Sequence, residues 1–156
     1  VQGYADQTFR PNAYISRAEF ITMLGRALQW QISNHPELTF ADSETIPTWA
    51  RPYIMAALRE GIVHGYQDQT FRPNRLISRS EIVVMIARAI GLTPEPNAAL
   101  PFNDIEQIPD WAFGYVAAAF KAGLVEGRGS NNFAPYDNAT RAEAVVLILR
   151  LLDYQQ

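Results

Sequence analysis

An all-α repeat array is the fold class this sequence predicts, and three observations predict it. First, a block of residues recurs at a constant offset of 62, from Gly3 to Gly65 and again to Gly127, with no gap needed. Second, apolar residues fall at three-and-four spacing: Phe20, Met23, Leu24, Ala27 and Leu28, then Ile82, Met85, Ile86, Ala89 and Ile90, then Ala144, Leu147, Ile148, Leu151 and Leu152. Third, no segment alternates apolar and polar residues in the way a strand does. Five helices and no strand are expected.

The repeat runs Phe-x-Asp, a Pro-x-Trp helix, a Gly turn, a Gly-Tyr loop, Phe-x-Pro, and a Ser/Thr-Arg helix. Gly3-Tyr4-Ala5-Asp6-Gln7-Thr8-Phe9-Arg10-Pro11-Asn12 returns as Gly65-Tyr66-Gln67-Asp68-Gln69-Thr70-Phe71-Arg72-Pro73-Asn74. Phe40, Asp42, Pro47, Trp49, Tyr53 and Gly61 return as Phe102, Asp104, Pro109, Trp111, Tyr115 and Gly123. The chain therefore holds the second half of a unit over 1–30 and two whole units over 40–92 and 102–154. Segments 31–39 and 93–101, with their Pro and Asn, read as linkers. One helix is left without its expected counterpart.

Local chemistry accounts for the element ends. Ser16 with Glu19, Ser78 with Glu81 and Thr140 with Glu143 fit the capping box, in which the hydroxyl and the carboxylate each take one free N–H. Pro47 and Pro109 suit a first helical turn, where a missing N–H costs nothing. Gly61 and Gly123 stand as C-terminal stops.

Composition narrows the function. With 13 basic against 16 acidic residues the formal charge is −3, which argues against a nucleic-acid binder, since that needs a basic face. No apolar run reaches the roughly 18 residues of a membrane helix. The absence of cysteine excludes disulfides and thiolate sites. No histidine recurs in register, and the loops around Asp6 and Asp68 offer too few oxygens for calcium, so no metal or cofactor is expected. A chain that opens on Val1-Gln2 with neither Met nor signal peptide is expected to be a processed or excised piece.

The candidate site residues recur with the repeat. Arg17, Arg79 and Arg141 each follow a helix N-cap, where the helix dipole makes a cation unfavourable by about 0.3–1 kcal/mol. Two compensations fit: an anionic ligand held by the guanidinium and the helix end together, or an internal ion pair with Asp42, Asp104 or a neighbouring Glu. Gly3, Gly65 and Gly127 suit positive φ or close approach to a ligand. Tyr4 and Tyr66 suit stacking on a sugar or packing. Asp42 and Asp104 suit a turn into the Pro-x-Trp helix or a groove position. Trp49 and Trp111 read as core, with a ligand platform as the alternative. Arg128, where the other repeats have Tyr, and Ala134, where they have Arg, make the third loop unlike the others.

The Phe-x-Asp start, the Trp-Ala of the first helix, the Gly-Ile/Leu-Val-x-Gly turn, the Phe-x-Pro loop and the motif Ser-Arg-Ala-Glu, Ser-Arg-Ser-Glu, Thr-Arg-Ala-Glu together resemble the S-layer homology (SLH) family over nearly the whole chain. The resemblance implies helix-loop-helix repeats in a pseudo-threefold, three-pronged bundle. It implies a secreted, non-catalytic module at the bacterial cell surface, cell wall or S-layer, holding an often pyruvylated secondary cell-wall polysaccharide in grooves between repeats, with the motif Arg on the acidic sugar. The ligand-binding set on that reading is Arg17, Arg79, Arg141, Gly65, Gly127, Tyr4, Tyr66, Asp42 and Asp104. Direct binding to peptidoglycan, lattice assembly without sugar binding, and a carbohydrate-active enzyme fragment are the rival readings. A domain-exchanged homo-oligomer is one way to complete the half repeat.

Overall fold

The computed structural model describes residues 2–35 and 37–156; Val1, and Pro36 within the expected 31–39 linker, lie outside them. Among the described residues five α-helices form: α1 (Arg17–Ala27), α2 (Arg51–Arg59), α3 (Arg79–Ala89), α4 (Asp110–Lys121) and α5 (Arg141–Tyr154). Short 3-10 turns at Ser43–Thr45 and Ile105–Gln107 precede α2 and α4. Among the described residues there is no strand, only isolated bridges. The fold is all-α.

The helices assemble around a three-way hub. The segments before α1, α3 and α5 meet there, and their backbones close a ring. The Ile15 N–H donates to the Ala139 carbonyl (3.1 Å), Ala139 to Ile77 (2.9 Å) and Ile77 back to Ile15 (3.0 Å). Ile15, Ile77 and Ala139 are fully buried. They seal the hub with Phe20, Ile21, Leu24, Ile82 and Leu151, and full burial of each larger apolar side chain contributes about 1.5–3 kcal/mol.

Pairing of the helices crosses the sequence repeats. α2 packs on α1 and α4 on α3, so the front half of each unit lies on the back half of the unit before it. α5 packs against α1 and α3. The 94–96 part of the second linker lies on α4, where the Glu95 N–H donates to the Gly114 carbonyl (2.9 Å).

Two expectations about helix ends are corrected. Ser16–Glu19 and Thr140–Glu143 close full capping boxes. Ser78 accepts from the Glu81 N–H, but no return bond to its backbone forms; Glu81 instead binds Arg17 and Arg75. Pro47 lies in the turn before α2, and Pro109 is the N-cap of α4 and not its first helical residue. Gly61 and Gly123 do take positive φ (69° and 75°) just beyond α2 and α4.

Candidate functional site

The three motif arginines are buried and serve the hub. Arg79 donates from Nε to the Phe133 carbonyl (2.7 Å), from Nη1 to the Glu143 carboxylate (2.7 Å) and from Nη2 to the Glu126 carbonyl (3.0 Å). Arg17 makes the same three bonds to Phe71, Glu81 and His64. Arg141 makes them to Phe9, Glu19 and Gln2, which closes the cycle from the third unit to the first. Each Glu is the motif Glu of the next unit. Burial raises the Glu143 carboxyl, but the bond from Arg79 and the charge of Arg128 outweigh it and hold the group below the usual carboxylate range.

The helix ends are equally occupied. In α1 the N–H groups of Arg17 and Ala18 donate to the carbonyls of Arg75 and Pro73, and that of Glu19 to Ser16 Oγ. In α3 and α5 the same positions bond to Asp137 and Pro135, and to Ala13 and Pro11. The first three N–H groups within each of these helices are thus satisfied from within, and the unfavourable cation is compensated by carbonyls and a Glu of the next unit.

The carboxylate of Asp42 accepts from the N–H groups of Phe71 (2.8 Å) and Arg72 (2.7 Å), and Asp104 from those of Phe133 (2.7 Å) and Ala134 (2.8 Å). Neither side chain caps the turn that follows it. Gly3, Gly65 and Gly127 do not have positive φ; in the loops that follow them the left-handed positions are Gln7, Arg10, Gln69, Arg72, Gly129, Asn131 and Ala134. Gly65 is required by space, since an added Cβ would sit 2.4 Å from Phe40 Cε1. The acids of the loops are likewise engaged: Asp68 accepts from the N–H and hydroxyl of Thr70 and from Arg72.

Two grooves open beside the hub, enclosing about 570 and 690 Å³. They are built from equivalent residues of successive units. Tyr4, Glu19, Met23, Arg26, Trp49 and Arg141 line the first; Tyr66, Glu81, Met85, Arg88, Trp111 and Arg17 line the second. The expectation that Trp49 and Trp111 are core is overturned. They are 48% and 54% exposed; Trp49 lies in the turn before α2 and Trp111 in the first turn of α4, and each lines a groove. Arg26 and Arg88 were missed by sequence reasoning, although they too recur at the offset of 62. Each lies within 6 Å of a tyrosine ring, Tyr53 (5.7 Å) and Tyr115 (5.3 Å), and neither has an ion pair among the described residues. Arg75 adds a third cation to the second groove. Cations outnumber carboxylates in both grooves, in a chain whose net charge is −3.

Tyr4 and Tyr66 wall the grooves, but their rings already carry guanidinium groups. Arg10 and Arg141 lie 4.1 and 4.8 Å from the Tyr4 centroid; Arg72 and Arg17 lie 4.0 and 5.0 Å from that of Tyr66. The equivalent place in the third unit is filled. Arg128 stands where the tyrosine is elsewhere and pairs with Asp137 (3.0 Å) and Glu143, while Arg150 reaches Glu126 (3.4 Å). Arg79 and Gly127 therefore sit beside a junction whose cations are already ion-paired.

Comparison with known proteins agrees with this architecture. A sequence model described as "S-layer homology domain" matches residues 1–21, 39–83 and 101–145. The chain is 37% identical over 98% of its length to an amylopullulanase of Thermoanaerobacterium thermosulfurigenes, and 36% identical over 98% to the exoglucanase XynX of Acetivibrio thermocellus. It is 34% identical over 74% of its length to a cellulosome-anchoring protein of Acetivibrio thermocellus. It spans only 8%, 14% and 26% of the lengths of these three proteins. A buried Arg–Glu ring repeated in register, helix pairs that cross the repeat boundary and a family match to all three units lead to one conclusion: the chain belongs to the S-layer homology domain family.

Proposed function

We propose that this chain is a cell-wall anchoring module that holds an acidic secondary cell-wall polysaccharide in its two open grooves. The observation that carries this reading is the repeated pairing of an exposed tryptophan with an unpaired arginine, Trp49 with Arg26 and Trp111 with Arg88, in grooves where cations outnumber carboxylates. An indole offers a flat apolar face to a sugar ring, and its N–H a donor. A guanidinium offers a bidentate match to a carboxylate such as a pyruvate ketal. Membership of the S-layer homology family, and a relative named as a cellulosome-anchoring protein, support anchoring at the bacterial surface. The module binds and does not catalyse.

In this reading Arg17 and Arg141 line the groove floors. Each has donated three of its five N–H groups internally, so two remain for ligand. Asp42, Asp104, Gly65, Gly127 and Arg79 act one step removed, by fixing the loops. Two equivalent grooves on one polymer raise retention through effective concentration.

Calorimetric titration with purified wall polysaccharide, with and without its ketals, tests the proposal. Binding is expected to weaken about tenfold or more in Arg88→Ala and in Trp111→Ala, the cost of one charge-assisted bond or one stacked ring, and to fall on removal of the ketals. Equal affinity for both polymers would take the ketal out of the mechanism, and binding only to polymer-free peptidoglycan would replace the ligand.

A further inference from the structure

The two grooves match at one end and differ at the other. At the matching end, Trp49 with Arg26 and Trp111 with Arg88 stand in equivalent places. Along α1 the first groove begins at Glu19, and nothing from the segment 13–16 before that helix lines it. The second groove continues past Glu81 to Ser78, Leu76 and Arg75 before α3, and takes in Tyr136 and Asn138 from the segment before α5. The repeat is broken at this added end. The counterparts of Arg75, Leu76 and Tyr136 are Ala13, Tyr14 and Asn74, and none of these lines the first groove. From Ser78 to Arg88 the second groove follows α3 for roughly 15 Å, at about 1.5 Å per residue. That is more than one sugar ring covers.

The added end has its own recognition chemistry. Tyr136 is 68% exposed and Leu76 40% exposed, so an aromatic ring with a hydroxyl and an aliphatic side chain lie open there. The backbone fixes Tyr136 from both sides. The Arg79 N–H donates to the Asp137 carbonyl (2.9 Å), and the N–H and hydroxyl of Ser80 both donate to the Pro135 carbonyl (3.1 and 2.9 Å). The hydroxyl bond has no counterpart beside the first groove, where Ala18 stands in place of Ser80. Arg75 donates from Nη1 to the Tyr66 hydroxyl and lies 3.5 Å from Glu81, yet its side chain is half exposed. Its Nε and Nη2 groups have no acceptor among the described residues. The acid next to Tyr136, Asp137, is engaged by Arg128 (3.0 Å). Three guanidinium groups thus face one carboxylate in the second groove, against two in the first.

We propose that Arg75, Leu76 and Tyr136 form a second sugar subsite, so that the second groove holds two consecutive residues of the polysaccharide and the first groove holds one. This rests on the sugar-binding reading of the grooves given above. The acidic residue lies at Trp111 and Arg88. Its neighbour in the polymer presents a ring face to Tyr136 and Leu76, and oxygen acceptors to the free N–H groups of Arg75. The first groove, with Ala13 and Asn74 at the corresponding places, reads the acidic residue alone. One groove therefore discriminates by the sugar next in the chain, and the other does not.

The test isolates each groove in the full chain. Trp49→Ala leaves the second groove intact, and Trp111→Ala leaves the first. Calorimetric titration compares the monosaccharide and the disaccharide released from purified wall polysaccharide, each bearing the ketal. In Trp49→Ala the disaccharide is expected to bind about tenfold or more tighter than the monosaccharide, as one charge-assisted bond or one stacked ring is added. In Trp111→Ala the two are expected to bind alike. Adding Arg75→Ala or Tyr136→Ala to Trp49→Ala is expected to bring the ratio of the two affinities close to one, with the circular dichroism spectrum unchanged. A ratio close to one in Trp49→Ala itself, or a ratio that survives both replacements, would overturn the second subsite and leave the anchoring reading standing, because the monosaccharide still binds. Binding of neither saccharide to the parent chain would overturn that reading and the subsite with it.

Discussion

Replacing Arg79 by Ala separates a structural arginine from a ligand-binding one, because its effect is expected with no ligand present. Arg79 is buried and donates three bonds, to the buried Phe133 carbonyl and, at partly buried positions, to the Glu126 carbonyl and the Glu143 carboxylate. Removing one partner of a buried pair costs about 3–5 kcal/mol. Glu143 keeps Arg128 as a second partner, so the lower end, about 3 kcal/mol, is expected. In a domain of this length each kcal/mol moves Tm by roughly 2–4 °C, which gives a fall of roughly 6–12 °C. Arg79→Met, which keeps contact with the Phe133 ring 5.2 Å away, should recover part of the loss. Arg88→Ala, at an unpaired groove residue, should stay within about 0.5 kcal/mol of the parent. The assay is thermal and urea unfolding followed by circular dichroism at neutral pH in ligand-free buffer. An Arg79→Ala protein that melts within about 2 °C of the parent would refute the reasoning, because the three bonds would then contribute nothing net to the fold.

Further outcomes follow from the loops. Gly65→Ala places a methyl against Phe40 and should destabilise by about 1–3 kcal/mol in urea unfolding; Gly127→Ala, whose nearest contact is Phe102 at 3.0 Å, should cost less. Asp104→Ala leaves the N–H groups of Phe133 and Ala134 without an acceptor, an expected loss of about 1–3 kcal/mol for each that stays buried, and faster amide exchange at both positions would report it. The Asp68 carboxyl is held at about 2, below its ordinary 3.8, first by the Thr70 hydroxyl and then by Arg72. Its contribution to the loop is therefore complete above about pH 4 and lost as the pH falls through 2. A carbon-detected NMR titration should find the midpoint near 2 in the parent and nearer 3.8 in Thr70→Val; an unmoved midpoint in the variant would remove the hydroxyl from the account.

The sequence by itself determined the helices, the turns and the repeat. Each rests on short-range chemistry that a one-dimensional pattern displays: Ser16, Ser78 and Thr140 at helix starts, apolar residues at three-and-four spacing, Gly61 and Gly123 at helix stops. The offset of 62 then told which residues are equivalent, including the helix left unpartnered. Tertiary structure decided what equivalent residues touch. The motif arginines had two readings because their partners, Glu81, Glu143 and Glu19, lie 64 or 122 residues away, and one of the three bonds exists only because the third unit closes on the first. Trp49 and Trp111 looked like core because periodicity marks a residue as apolar but does not say whether a neighbour covers it. The same gap explains Arg26 and Arg88, which are ordinary helix-end cations until the fold sets each beside a tryptophan. Gly65 looked like a turn residue because glycine serves two needs, conformational freedom and room, and only the position of Phe40 tells which one applies.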